Sequence, residues 1–192
     1  VIKPFPRITY DDSMLRYGTD RPDLRYGLEI GDLSDMVAGS EFDVFRNAIS
    51  EGGVVRGIGA PGGAAYSRRE LDELTAYARE RGAKGLVTIA LAGGGSSLAD
   101  LTEAGMRSAA ARFLSVEQVR QMAARLGAKM GDLLLIVADK EEVARAVLSD
   151  LRQEMARRLR LPDPNLMAFA FVVDFPLLEW NAEEGRWDPS HH

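Results

Sequence analysis

The sequence contains no cysteine, so disulfides, thiolate metal sites and cysteine nucleophiles are excluded outright. Its two histidines are the last two residues, His191 and His192, which confines imidazole chemistry to the very end of the chain. No apolar run approaches the ~20 residues that span a bilayer, and the first residues lack the basic-then-apolar order of a signal peptide. A basic excess is missing as well. With 24 Lys+Arg against 29 Asp+Glu the formal charge is −5, so total charge does not announce a nucleic-acid or membrane partner, although a local basic face is compatible with it. The phosphate-loop pattern G-x-x-x-x-G-K-S/T occurs nowhere. These absences suit a cytosolic chain.

What is present is ordinary globular material, 46% hydrophobic and 28% charged over 192 residues, enough for one good core or one domain with pieces of another. The chain opens at Val1 rather than Met and stops at "WDPSHH", directly after an expected β-hairpin. Together these features favour an excised piece.

Local signals divide the chain. Thr9 to Asp12 reads T-x-x-D, a capping-box-like helix start, and Gly18 ends that helix. Asp20, Arg21, Asp23 and Arg25 surround Pro22 in a turn-rich connection. "FDVFR" from Phe42 alternates and predicts a half-buried strand, with "VVRGIGA" as its antiparallel neighbour across Gly52-Gly53. Ser67 opens an S-x-x-E capping box, and Leu71, Leu74, Tyr77 and Ala78 recur at helical spacing up to Gly82. "GLVTIAL" from Gly85 is a strand. The segment from Ser96 to Leu114 reads either as a mobile loop with one helical turn or as a longer helix. Ser115 starts a further capped helix that stops at Gly127, and "GDLLLIVAD" is a continuous apolar strand of the kind covered on both faces. Asp139 is expected to cap a long helix to about Arg160, with Val143, Val147, Leu151, Met155 and Leu159 as its apolar stripe. A strand interrupted by Pro176 and a hairpin close the chain. The expected class is α/β of the α+β type: a mixed sheet with helices packed on it.

Three features invite a chemical reading. Gly57, Gly59 and Gly62 spell G-x-G-x-x-G between a strand and a helix, the outline of a dinucleotide-binding turn. Against that reading, the capping box delays the helix to Ser67, Pro61 removes a donor from the would-be cradle, and Glu80 falls inside a helix instead of ending a strand. A glycine-rich strand-to-helix connection is the expectation. The carboxylate pairs Glu141/Glu142 and Glu183/Glu184 occupy a helix start and a turn, which are ordinary solvated positions. Arg145, Arg152, Arg157, Arg158 and Arg160 lie along the long helix. Complementing the helix dipole explains the terminal ones, and a phosphate-contacting face at Arg157 and Arg158 is the alternative.

Four collinear stretches, "PFPRITYDDSMLRYGTDRPDLRYGLEI", "YARERGAKGLVTIAL", "GAKMGDLLLIVAD" and "FAFVVDFPLLEWNAEEGRWDPSHH", resemble the middle section of bacterial-type aspartyl-tRNA synthetase. The likeness is looser from Gly93 to Arg112. The resemblance implies a class II ligase, a cytoplasmic homodimer that uses ATP and Mg²⁺ to activate aspartate and esterify it to tRNA, with neither DNA nor membrane as partner. It implies that residues 28–160 form the GAD insertion domain, that residues 1–27 are a catalytic-domain flank of helix and loop, and that residues 161–192 are a linker followed by a catalytic-domain strand and hairpin. The class II signature motifs are not in this sequence, so the resemblance further implies that this segment alone binds no cofactor and neither adenylates aspartate nor charges tRNA. His191, with His192 beside it, matches the family's "H-H-P-F-T", where the first histidine contacts the bound amino acid. The same pair is equally readable as a tag stub. Asp20, Asp23 and Arg25 match "G-S-D-K-P-D-L-R", with Thr19 and Arg21 substituted, and are assigned a structural role. A stand-alone RNA- or protein-binding module without catalysis is the competing reading.

Overall fold

The computed structural model describes residues 4–181 and 184–189. Its centre is a five-stranded sheet with strand order β2 (Gly31–Asp32), β3 (Val54–Ala60), β6 (Leu133–Asp139), β4 (Val87–Leu91), β5 (Met106–Arg107). Every ladder in it is antiparallel. A separate parallel pair joins β1 (Arg7–Thr9) to β7 (Phe171–Val173), and β8 (Leu178–Asn181) forms a hairpin with β9 (Arg186–Pro189). The expected α+β class therefore holds, with parallel pairing confined to the short β1–β7 ladder among the described residues.

Helices cover both faces of the sheet, which explains why all seven residues of β6 are buried. Leu134, Ile136 and Ala138 point to one face, where α2 (Ser34–Val37), α3 (Asp43–Ser50) and α5 (Val116–Arg125) contribute Val37, Phe45, Val119 and Met122. Leu133, Leu135 and Val137 point to the other, against Leu74 of α4 (Arg68–Glu80) and Val147, Leu148 and Leu151 of α6 (Glu141–Leu159). The side-chain period of two along a strand thus feeds two separate cores.

The capping signals translate directly. Thr9 Oγ1 accepts from the Asp12 N–H at 3.1 Å to start α1 (Tyr10–Tyr17), which ends at Gly18 with φ 73°. Ser67 and Ser115 each close a complete capping box. Three local expectations fail. Phe42–Arg46 is the start of α3, not a strand, and β3 pairs with β2 and β6. Phe42, Phe45 and Ala48 are also three apart, and that helical spacing buries Phe45 completely. Asp139 does not cap α6. It ends β6, buried, and its carboxylate accepts from the N–H groups of Lys84 at 3.0 Å and Lys140 at 2.8 Å. The N-cap is Lys140, without a side-chain bond. The Ser96–Leu114 segment is neither expected alternative: it is a chain of short 3₁₀ turns around β5.

Candidate nucleic-acid interface

The C-terminal half of α6 packs on the connection between α1 and β2, and their junction encloses a cleft of about 350 Å³. Arg21, Asp23 and Tyr26 line one wall, and Arg152, Arg157 and Pro162 the other. The structure thereby brings one arginine singled out on α6 together with the Asp20–Arg25 connection, two stretches far apart in sequence.

Arg152 is the anchor. It stands where the Ala144, Leu148 and Ala156 face of α6 would otherwise be apolar, and only 1% of it is exposed. Its Nε donates to the Leu28 carbonyl at 2.7 Å and its Nη2 to the Gly27 carbonyl at 3.1 Å. The guanidinium lies 4.8 Å from the Tyr17 ring centroid and 5.1 Å from that of Tyr26. No carboxylate forms an ion pair with it among the described residues; carbonyl dipoles and aromatic faces replace one. Burial lowers its pKa from the ordinary arginine value. The same burial raises the phenols of Tyr17 and Tyr26.

The rim is charged and mostly paired. Asp23 holds Arg25 through Nε at 3.0 Å and Nη2 at 2.7 Å, and it also accepts the Arg25 main-chain N–H. That clamp lowers the Asp23 carboxyl pKa, first through the Arg25 side-chain hydrogen bonds, and gives Asp23 and Arg25 the structural role expected of them. Glu154 takes two bonds from Arg157, at 3.0 and 2.8 Å, and one from Arg158 at 2.6 Å. Arg158 also reaches Glu73 at 3.8 Å and is largely covered, whereas the Arg157 side chain is 73% exposed. The side chain of Arg21 is 90% exposed, with Asp20 at 3.8 Å as its one ion-pair partner among the described residues. Arg21 and Arg157 are therefore the cations of the cleft that water reaches.

The glycine-rich turn is built differently from a phosphate cradle. Gly57 and Gly59 lie inside β3, where an added Cβ would meet the Leu135 carbonyl at 2.9 Å and the Ala128 side chain at 2.9 Å respectively. They are glycine so that the end of α5 can lie on the strand. Gly62 has φ 68°, and its N–H already donates to Asp132 Oδ1 at 2.9 Å. Among the described residues no three histidine, aspartate or glutamate side chains are placed to hold a metal ion. These residues do not fit an ATP–Mg²⁺ centre. Glu141 is occupied by the buried Arg56 at 3.1 Å. His191, His192 and Glu183 lie outside the described residues. No described helix is long and apolar enough to cross a membrane.

Sequence reasoning missed Arg152, which it grouped with the other arginines along the long helix. Its position four residues after Leu148 and three before Met155, on the buried stripe, was the available signal.

The chain is 52% identical over 189 residues to a protein of Moorella thermoacetica, covering 98% of this chain and 30% of that protein. It is 45% identical over 190 residues to one of Dehalococcoides mccartyi, covering 99% and 32%, and 47% identical over 189 residues to one of Caldanaerobacter subterraneus subsp. tengcongensis, covering 98% and 30%. All three relatives are named aspartate–tRNA(Asp/Asn) ligase. The chain thus spans about a third of the length of these curated relatives. The GAD domain model matches residues 45–148, from the first turn of α3 to the middle of α6. Since that match takes in more than half of the sequence, the chain belongs to the GAD domain family.

Proposed function

We propose that this chain is the insertion-domain segment of an aspartate–tRNA ligase, with residues 28–160 as the inserted module and residues 1–27 and 161–192 as catalytic-domain flanks. The observation that carries the reading is the unbroken likeness to the three ligases, at 45–52% identity along 98–99% of the chain. The exposed apolar side chains of the C-terminal region support it: Phe171, Leu177, Trp180 and Trp187 are between 53% and 85% exposed. A group of that size is what a strand and hairpin show when the rest of their sheet lies elsewhere.

In this reading the parent enzyme is cytoplasmic and dimeric. It binds ATP, Mg²⁺, aspartate and tRNA through residues beyond the described ones, with His191 and His192 at the aspartate pocket. The segment by itself catalyses nothing. Its own contribution is to flank the tRNA acceptor end, with Arg157, backed by Arg158 and joined by Arg21, contacting backbone phosphates. These contacts position RNA without reading sequence.

The test is a chimera in which this segment replaces the matching third of the Moorella thermoacetica ligase. Aspartylation by the chimera is expected, together with background pyrophosphate exchange by the isolated segment. Reversing Arg157 and Arg158 to glutamate in the chimera is expected to raise KM for tRNA by about three- to tenfold and to reduce the salt slope of binding by about one per lost phosphate contact. A folded but inactive chimera would overturn the ligase reading. Unchanged tRNA affinity after both reversals would remove the RNA contact alone.

A further inference from the structure

The outer edge of β4 carries main-chain groups that no described strand takes. Leu91 turns its own toward β6: its N–H donates to the Asp132 carbonyl at 2.9 Å, and its carbonyl accepts from Gly131 at 2.7 Å. Main-chain direction alternates along a strand, so Val87 and Ile89 also face β6, while Ala90, Thr88 and the preceding Leu86 face outward. β5 pairs only with Ala90 and Leu91. At Ser108 the chain turns away, with Ser108 Oγ accepting from the Ala110 N–H at 3.0 Å. The outward N–H and C=O of Thr88 and Leu86 consequently lie beyond the end of the β4–β5 ladder, where no described strand pairs with them.

A groove of about 460 Å³ runs along that position. Phe42, Val44 and Ala48 of the α3 region form its floor, and Thr75 and Arg79 of α4 its roof. Ser108, Ala109 and Ala110 line its end where β5 stops. Val44 is 45% exposed into this groove. On the rim, Lys84 is matched by Glu51 at 2.9 Å, whereas Arg79 has no ion-pair partner among the described residues. An open edge flanked by apolar walls takes an extended main chain with alternate apolar side chains, and the unmatched guanidinium favours an acidic residue on it.

We propose that this open edge docks an extended segment of a partner protein. The segment pairs its main chain with Leu86 and Thr88, sets alternate apolar side chains into the groove and places a carboxylate beside Arg79. The site lies away from the arginine-rich cleft and is independent of the ligase reading.

The test uses the whole 192-residue chain and two synthetic peptides, acetyl-EVEVTVE-amide and acetyl-KVKVTVK-amide, with amide hydrogen exchange and fluorescence anisotropy as readouts. The acidic peptide is expected to slow exchange at Thr88 by about tenfold and to bind about fivefold more tightly than the lysine peptide. Thr88→Pro removes an N–H that the fold does not use and is expected to abolish binding. Arg79→Glu, a surface change that leaves folding intact, is expected to reverse the order of the two peptides. Three results would overturn the proposal: no protection of Thr88 by either peptide, an unaltered order in Arg79→Glu, or Thr88 already protected without peptide in a dimeric chain, which would put a second copy on the edge.

Discussion

The Nε of Arg152 donates to the main-chain carbonyl of Leu28 at 2.7 Å, and Leu28 is held at φ 62°, a left-handed conformation that costs a non-glycine residue about 1–2 kcal/mol. The strain is tolerated because it turns the chain so that Gly27 and Leu28 both present carbonyls to one buried guanidinium. Arg152→Ala leaves the buried Leu28 carbonyl without its donor, whereas water reaches the exposed Gly27, and is expected to destabilise the fold by about 1–3 kcal/mol, the usual cost of one buried group left unsatisfied. Urea unfolding checks this. A midpoint within error of the parent would show that the pairing contributes nothing.

Arg160 also has a left-handed backbone, φ 52°, but it is exposed at the end of α6. Arg160→Gly is expected to stabilise the chain by about 0.5 kcal/mol, the relieved strain less the ~0.5–1 kcal/mol of extra backbone entropy glycine brings to the unfolded chain. Arg160→Ala should bring no such gain, and a gain equal to glycine's in thermal melts would refute the backbone explanation.

Gly59→Ala pushes a methyl group toward Ala128 and the Leu126 carbonyl. It is expected to cost about 1–3 kcal/mol, the usual cost of overpacking. Titrating ATP or NAD into the unsubstituted chain should leave the amide resonances of Gly57 to Gly63 unmoved, because the Gly62 N–H is already committed to Asp132. Saturable shifts confined to that loop would reinstate a nucleotide site.

Acid should weaken the junction of α1, α6 and the connection between α1 and β2. Hydrogen bonds from Arg157 lower the pKa of Glu154, those from Arg16 lower Glu29, and those from Arg25 lower Asp23. For carboxylates depressed in the folded state, the stabilisation is complete above the unfolded value near about 4 and disappears as pH falls through the folded values. The melting temperature should therefore be flat from neutrality to about pH 5 and fall below about pH 4. Glu154→Gln should make the fall shallower, and a slope unchanged by it would assign the acid sensitivity elsewhere.

Much of this architecture is legible because its signals are local. Thr9, Ser67 and Ser115 announce helix starts through hydrogen bonds made within three residues, so no tertiary context is needed. The continuous apolar run of β6 correctly indicates a strand covered on both faces. The failures lie where context decides. "FDVFR" fits both a strand period and a helical one, and five residues do not separate them. Asp139 has the side chain of a cap, yet the end of a buried strand claims its carboxylate for Lys84, far away in sequence. Charge alone singles out Arg157 in the sequence. That it lines one cleft with Arg21 depends on a chain crossing that no spacing reveals.

The parallel ladder of β1 and β7, with Ile8 opposite Val172, has a consequence for the order of folding. Closing it joins two segments separated by everything from Tyr10 to Ala170, so its search cost falls only after the intervening sheet has formed and brought its ends together. The ladder closes late and adds little to the folding barrier. Substitutions in it, such as Ile8→Ala, should leave the refolding rate nearly untouched and appear as faster unfolding.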